Sequence, residues 1–373
     1  MYDQILGDAL FIMLYAVVAV LAALGSCYLL FRRGNAFAAD VTPPLRLRRW
    51  TAALLAVAAV NHLWYMPILF LSTEADIQLC DLIGGLLDSM SFFPLSIVVM
   101  ITMLQDRRRP LWPIAVAFAP LVMLSAWSVI NRSYDFPLGY AYCLLLCVGL
   151  FIYMVRETWR YSRWLRENYA DLEHKEVWQS MALLGIFMLV YVFYALTGKG
   201  YVFIYVFHFI SLVLVLYLPW RVDTLSDLSN LESHQALSQP LPDREEPEVS
   251  LPSDVNVEQI ATLLKQKCEK TGIYRQHDLT LAQLAKCLGT NRTYLSLYFS
   301  HQGINYNSYI NDLRIDYFTK SYQESVNDSQ PATAQELAMQ SGYHSYRTFS
   351  VAFRQRMGLG VKEWMTTVVA HTD

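Results

Sequence analysis

Charge is scarce in this chain. Asp, Glu, Lys and Arg make up 16% of its 373 residues, against about a quarter in ordinary soluble proteins. Too few charged side chains are present to clothe a soluble body of that length. Paired-cysteine spacing is missing too: Cys27, Cys80, Cys143, Cys147, Cys268 and Cys287 include no CxxC, which excludes a zinc ribbon and gives no disulfide framework. Cys143 and Cys147, four apart in an apolar run, share a helix face as packing thiols. The chain has no P-loop, no glycine-rich dinucleotide turn and no Ser-His-Asp arrangement, so soluble-type catalysis has no support and no cofactor is expected. What it has in abundance is apolar surface: 54% of residues are hydrophobic and the mean hydropathy is +0.26.

That surface is concentrated in runs long enough to cross a hydrocarbon core of about 30 Å. Seven are expected: Ala9 to Phe31, Thr51 to Leu71, Leu82 to Leu104, Leu111 to Ile130, Leu138 to Val155, Ser180 to Leu196, and Tyr201 to Trp220. Residues 1–221 therefore read as a polytopic helix bundle in a lipid bilayer. Arg and Lys crowd one set of joints (Arg32, Arg33, Arg46, Arg48, Arg49; Arg107 to Arg109; Arg156, Arg160, Arg163, Arg166, Lys175), whereas the other set holds Arg132 and Lys199. The positive-inside bias then puts the N-terminus outside and everything past Arg221 in the cytoplasm. Met1 to Asp8 carries no Lys or Arg, so the first run reads as a retained span rather than a signal peptide.

Ionisable groups are costly in lipid and are candidates for function by default. His62, Asp88 and His208 fall about 9 to 14 Å deep, in one layer, counting about 1.5 Å per residue. Asn61 beside His62, with Pro67 and Pro94, adds polarity and backbone irregularity to the same region. These four polar residues are candidates for sensing a small ligand or another membrane stimulus, an imidazole near its ordinary pKa pairing with the Asp88 carboxylate. Two His and one Asp also match the ligand number of a catalytic zinc. That second reading resembles the intramembrane metal hydrolases of the ceramidase and progestin-receptor type, although Leu212 stands four residues after His208 where those have a second His.

Residues 222–256 hold eight acidic residues against one Arg, with Pro240, Pro242, Pro247 and Pro252. The composition predicts an unfolded acidic tether spanning an r.m.s. distance of about 33 Å. From residue 257 to 373 the pattern is all-helical, with no strand alternation. Val257 to Thr271 reads as a first helix. Thr280 caps Leu281 to Leu288, Gly289 ends it, and Asn291 to Ser300 follows. A connecting helix, Asn305 to Tyr322, precedes the same arrangement again: Thr333 caps Ala334 to Gln340, Gly342 turns the chain, and Ser345 caps Tyr346 to Met357. Two helix-turn-helix units on one connecting helix are expected.

These residues resemble the AraC family of transcription regulators over about 90 positions. The resemblance is carried by DLTLAQLAKCLGTNRTYLSLYFSHQG from Asp278, the connecting NDLRIDYF, and AQELAMQSGYHSYRTFSVAFRQRMG, with Gly342, Tyr343, Ser345, Phe349, Phe353, Arg354 and Gly358 in place. It implies binding to double-stranded DNA. Helical spacing buries Leu295 and Phe299 in the first unit and Phe349 and Phe353 in the second. The outward residues Arg292, Thr293, Ser296, Leu297 and Ser300, and Tyr346, Arg347, Ser350 and Arg354, are then the candidates for phosphate and base-edge contacts. Leu297 and Ser300 stand where the family has Arg and Lys, Val351 replaces an Arg, Phe318 replaces a small residue, and Ser325 to Ala332 is about five residues longer. With 12 basic against 10 acidic residues in this domain, affinity is expected to be modest, salt-dependent or reliant on a homodimer. The whole reads as a bacterial inner-membrane, one-component regulator with no catalytic residues. The alternatives are the metal hydrolase with a helical regulatory domain, and a helix-turn-helix domain that binds protein.

Overall fold

The structure is a computed structural model and describes residues 8–32, 35–38, 41–133, 137–197, 201–228, 257–327 and 332–370. It is all-α and divides into two compact units, Met1–Tyr161 with His174–Leu241, and Ser162–Glu173 with Pro242–Asp373.

In the first unit, α1 (Ala9–Phe31), α2 (Leu45–Tyr65), α3 (Glu74–Met103), α4 (Trp112–Ile130), α5 (Pro137–Asn168), which runs on into the second unit, α6 (Trp178–Thr197) and α7 (Tyr201–Thr224) follow one another. Six of them qualify as spans by length and apolarity, which makes this a multi-pass membrane protein. The expected span Ser180 to Leu196 falls in α6, whose side chains are described only over Trp178–Val190. The rest of that expectation lies outside the described residues. Two expected boundaries are corrected: α3 begins at Glu74, eight residues before Leu82, and α5 continues thirteen residues beyond Val155.

Small residues bring the first helices close. Ala22, Thr51 and Ala52 are fully buried, and the Ser26 hydroxyl donates to the Ala52 carbonyl at 2.8 Å. A Cβ on Gly25 would stand 3.2 to 3.3 Å from Leu55 and Pro219, so α1, α2 and α7 meet there. Apolar side chains point outward as well as inward: Trp112, Met123, Trp127 and Ile130 on α4 are each about 70% exposed, as expected where the solvent is lipid. At one end Glu157 of α5 is buried against Arg109 (2.7 Å), Arg107 (2.8 Å) and Arg160 (3.1 Å), and Arg109 reaches Asp106 at 2.8 Å. A buried carboxylate among three guanidiniums ties the joint before α4 to α5.

The start of the expected tether is not loose. Val222, Asp223, Leu225 and Leu228 are buried, Gln105 bonds both the Ser226 carbonyl and the Leu228 amide at 2.9 Å, and the Asp227 amide donates to the Thr42 carbonyl. The apolar spacing 222, 225, 228 closes this stretch onto the first unit. Residues 229–256 lie outside the described ones.

The second unit is built from α8 (Val257–Leu263, continued by a π turn Leu264–Glu269), α9 (Leu281–Leu288), α10 (Arg292–His301), α11 (Tyr306–Asn327), α12 (Ala334–Gln340), α13 (Tyr346–Met357) and α14 (Val361–Ala370). Each short helix is started by a side chain: Thr280 and Thr333 in reciprocal capping boxes with Gln283 and Glu336, Asn291 to the Tyr294 amide, Ser345 to the Thr348 amide. α11 is longer than expected, taking in Ser325 to Asn327. Its first turns, with Tyr306 and Ile310, pack in one core with Leu284, Leu295 and Phe299; its later turns, with Ile315, Phe318 and Tyr322, pack in another with Leu337, Phe349, Phe353 and Trp364. Phe318 is therefore core, its ring 4.4 Å from Phe349. Arg314, between the two, is wholly buried and donates to the carbonyls of Tyr274 and Gln276 at 2.8 Å.

Candidate functional sites

Pro94 has no N–H to offer the carbonyl four residues back, and α3 opens into a π turn over Asp88–Phe92 just before it. Asp88, at the start of this turn, is 7% exposed. Asn61 Nδ2 donates to its Oδ1 at 2.6 Å, and the Tyr65 hydroxyl to its Oδ2 at 3.1 Å. Asn61 and Tyr65 are one turn apart on α2, so a single helix face serves both carboxylate oxygens. Gly84 makes this possible, since a Cβ there would lie 2.4 Å from the Tyr65 ring.

His62 turns to another side of α2. Its Nδ1 is 2.8 Å from the Ala58 carbonyl and its ring centroid 5.8 Å from that of His208. Tyr15 of α1 lies against both imidazoles, at 5.1 and 5.3 Å, and its hydroxyl donates to the His62 carbonyl. Phe11 closes on His208 at 5.1 Å. The expected layer thus resolves into a His62–Tyr15–His208 cluster of tilted and edge-on rings and an Asn61–Asp88–Tyr65 hydrogen-bonded set. The ligand atoms of His62, Asp88 and His208 are not gathered as a metal would need. Among the described residues only Asp171, Asp278 and His344, in the second unit, have such atoms all within 4.8 Å. There His344 Nε2 meets Asp278 Oδ2 at 2.8 Å, and both aspartates act on the buried Arg314 guanidinium. The Arg314 guanidinium offsets part of the negative charge of that cluster.

The two candidate reading helices are α10 and α13. Leu295 and Phe299, and Phe349 and Phe353, are buried four residues apart, as the spacing predicts. Arg292, Thr293, Leu297, Ser300, Tyr346, Arg347 and Arg354 are exposed, and Ser296 and Ser350 half-buried. Val351 is also exposed, leaving an apolar side chain on the second face. Gly342, before α13, has φ +100°, and a Cβ there would come within 2.6 Å of the Arg275 carbonyl oxygen.

A segment far away in sequence joins this face. Arg292 Nε and Nη2 donate to Asn168 Oδ1 at 3.0 and 2.6 Å. Tyr169 forms an isolated antiparallel bridge with Thr280, and the Ala170 amide donates to the Leu279 carbonyl at 3.2 Å. Asn307 Nδ2 donates to the carbonyls of Tyr169 and Ala170, the latter at 2.7 Å. Glu173 Oε2 accepts from the hydroxyls of Ser345 (2.7 Å) and Thr348. Asn168, Asn307, Glu173 and Thr348 were not among the expected site residues. The available signal was the spacing of Tyr161, Leu165 and Tyr169, all buried, which carries the apolar stripe of α5 past its last lipid-length turn.

Compared with protein-family models, curated proteins and solved structures, the chain shows no match.

Proposed function

We propose that this chain is a membrane-embedded, one-component transcription regulator: the spans receive a signal, and the C-terminal helical unit binds double-stranded DNA beside the membrane. One observation carries the reading. A capped short helix, a glycine turn and a second capped helix occur once on each side of α11, and each second helix buries an aromatic residue and shows Arg together with Thr or Tyr to solvent. This is the construction of a helix-turn-helix pair, whose second helix enters the major groove. The amide groups at the starts of α10 and α13 suit phosphate, and Arg292, Arg347 and Arg354 suit phosphate or guanine edges. The resemblance of the same residues to the AraC family supports this.

Arginine placement favours a bacterial inner-membrane orientation with the N-terminus outside. The His62–Tyr15–His208 ring cluster and the Asn61–Asp88–Tyr65 set are the sensing elements in this reading, for an unidentified small ligand or membrane stimulus. A homodimer would supply the affinity that a domain of small net charge lacks. Genome-wide crosslinking of tagged full-length protein beside an Arg347→Ala/Arg354→Ala variant tests the proposal. Discrete peaks lost in the variant are expected. No peaks in either protein would overturn it, and peaks retained in the variant would remove α13 from the DNA contact.

A further inference from the structure

We infer that the segment Asn168 to Glu173 is a built-in competitor of DNA, holding both reading helices in a resting state. The inference rests on the reading of α10 and α13 as DNA-reading helices.

The segment makes two polar contacts five residues apart, one on each helix. Glu173 lays a carboxylate on the N-terminus of α13, taking hydroxyl hydrogen bonds from the N-cap Ser345 and from Thr348. The N-terminal end of a helix is where an anion is stabilised and where a DNA phosphate would sit. The carboxylate has the charge sign and acceptor geometry of that phosphate. Asn168 meanwhile fixes the guanidinium of Arg292, the first residue of α10, through two hydrogen bonds to one oxygen. A guanidinium so held has its Nε edge taken and its direction fixed, so it cannot offer that edge to a phosphate or a guanine.

Between these contacts the backbone is anchored. Ala170 is 2% exposed and packs in the same core as Leu281, Leu284 and Leu295, while Asn307 and Leu279 bond the Tyr169 and Ala170 backbone. The segment is therefore positioned by apolar burial, and its polar ends are placed where DNA would contact the helices. Docking of the segment and engagement of both reading helices by a duplex exclude each other. Asn168 is also the last residue of α5, which begins at Pro137 in a membrane span. Displacement of this helix end is the event that frees the face, and the occupant that replaces Glu173 is a backbone phosphate.

The test uses the full-length protein in lipid nanodiscs and a fluorescent mixed-sequence duplex at low salt. An Asn168→Ala/Glu173→Gln variant removes the polar ends and leaves the anchored backbone. It is expected to bind the duplex about tenfold more tightly than the wild type, the scale of one or two charge-assisted hydrogen bonds, and adding Arg347→Ala/Arg354→Ala should abolish binding. Unchanged or weaker binding, in a protein whose wild type binds through Arg347 and Arg354, would overturn the competitor and leave the DNA-binding reading intact. No binding by the wild type and the release variant would overturn both. A second measurement needs no substitution: hydrogen exchange in the peptide covering 162–173 of the wild type should accelerate when duplex is bound. Protection that persists in the bound state overturns the inference.

Discussion

The two units start their helices differently. In the first, α2, α3 and α4 begin at Pro44, Thr73 and Leu111 with no side-chain cap, and α1 alone of these four is capped, by Asp8. In the second, α9, α10, α12 and α13 are all capped, though none exceeds twelve residues. Lipid offers no competing hydrogen bonds, so a long apolar helix holds its backbone without help. A helix of two turns in water is unstable alone and needs both a cap and a buried face. The first unit is thus specified by length and small-residue contacts, the second by capping residues and aromatic packing.

Phe349→Ala should break the second unit most severely. Its ring is fully buried between Phe318 and Phe353, and a loss of about 3 to 5 kcal/mol is expected, read as early exchange of 306–370 amides while spans keep their protection. Gly84→Val is the counterpart in the first unit. The added side chain must displace Tyr65 from Asp88, at a cost of about 1 to 3 kcal/mol, visible as a lower thermal midpoint in detergent. Thr280→Ala removes a cap and should cost about 1 kcal/mol. Thr73→Ala, at a helix start with no side-chain hydrogen bond, should shift stability by less than about 0.5 kcal/mol, and equal losses at the two sites would erase the contrast.

Thiol labelling sharpens the comparison without altering stability. Cys27 and Cys287 are both exposed, but Cys27 lies in a span and Cys287 on a helix in water. A charged maleimide is expected to modify Cys287 and leave Cys27 untouched in nanodiscs. Cys268, wholly buried, has a thiol pushed up to about 12 by burial and by nearby Glu269. It should react only after denaturation, since the thiolate is the reactive form.

What could be read in advance followed the range of the interactions. Thr280, Gly289, Asn291, Thr333, Gly342 and Ser345 act on residues three or four away, so the expected helix boundaries of α9, α10, α12 and α13 lie within one residue of those observed. Leu295 with Phe299 and Phe349 with Phe353 follow from periodicity alone. Asn61, His62, Asp88 and His208 could be put in one layer by counting rise. Their division into two sets depends on the π turn at Asp88 and on Tyr15 and Tyr65, whose hydroxyls carry no positional signal. The bridge between Tyr169 and Thr280 joins positions more than a hundred residues apart, and no local pattern announces it. Val222, Leu225 and Leu228 did show an apolar spacing, but acidic neighbours outweighed it.

The strand-like pairing of Tyr169 and Ala170 with Leu279 and Thr280 has a consequence for cutting the chain. Because part of the C-terminal unit is encoded before α6, a protease that severs residues 229–256 yields two pieces still clasped through that pairing. Nicked protein should therefore migrate as one particle until the clasp opens, and a C-terminal fragment produced alone would lack one of its own core residues, Ala170.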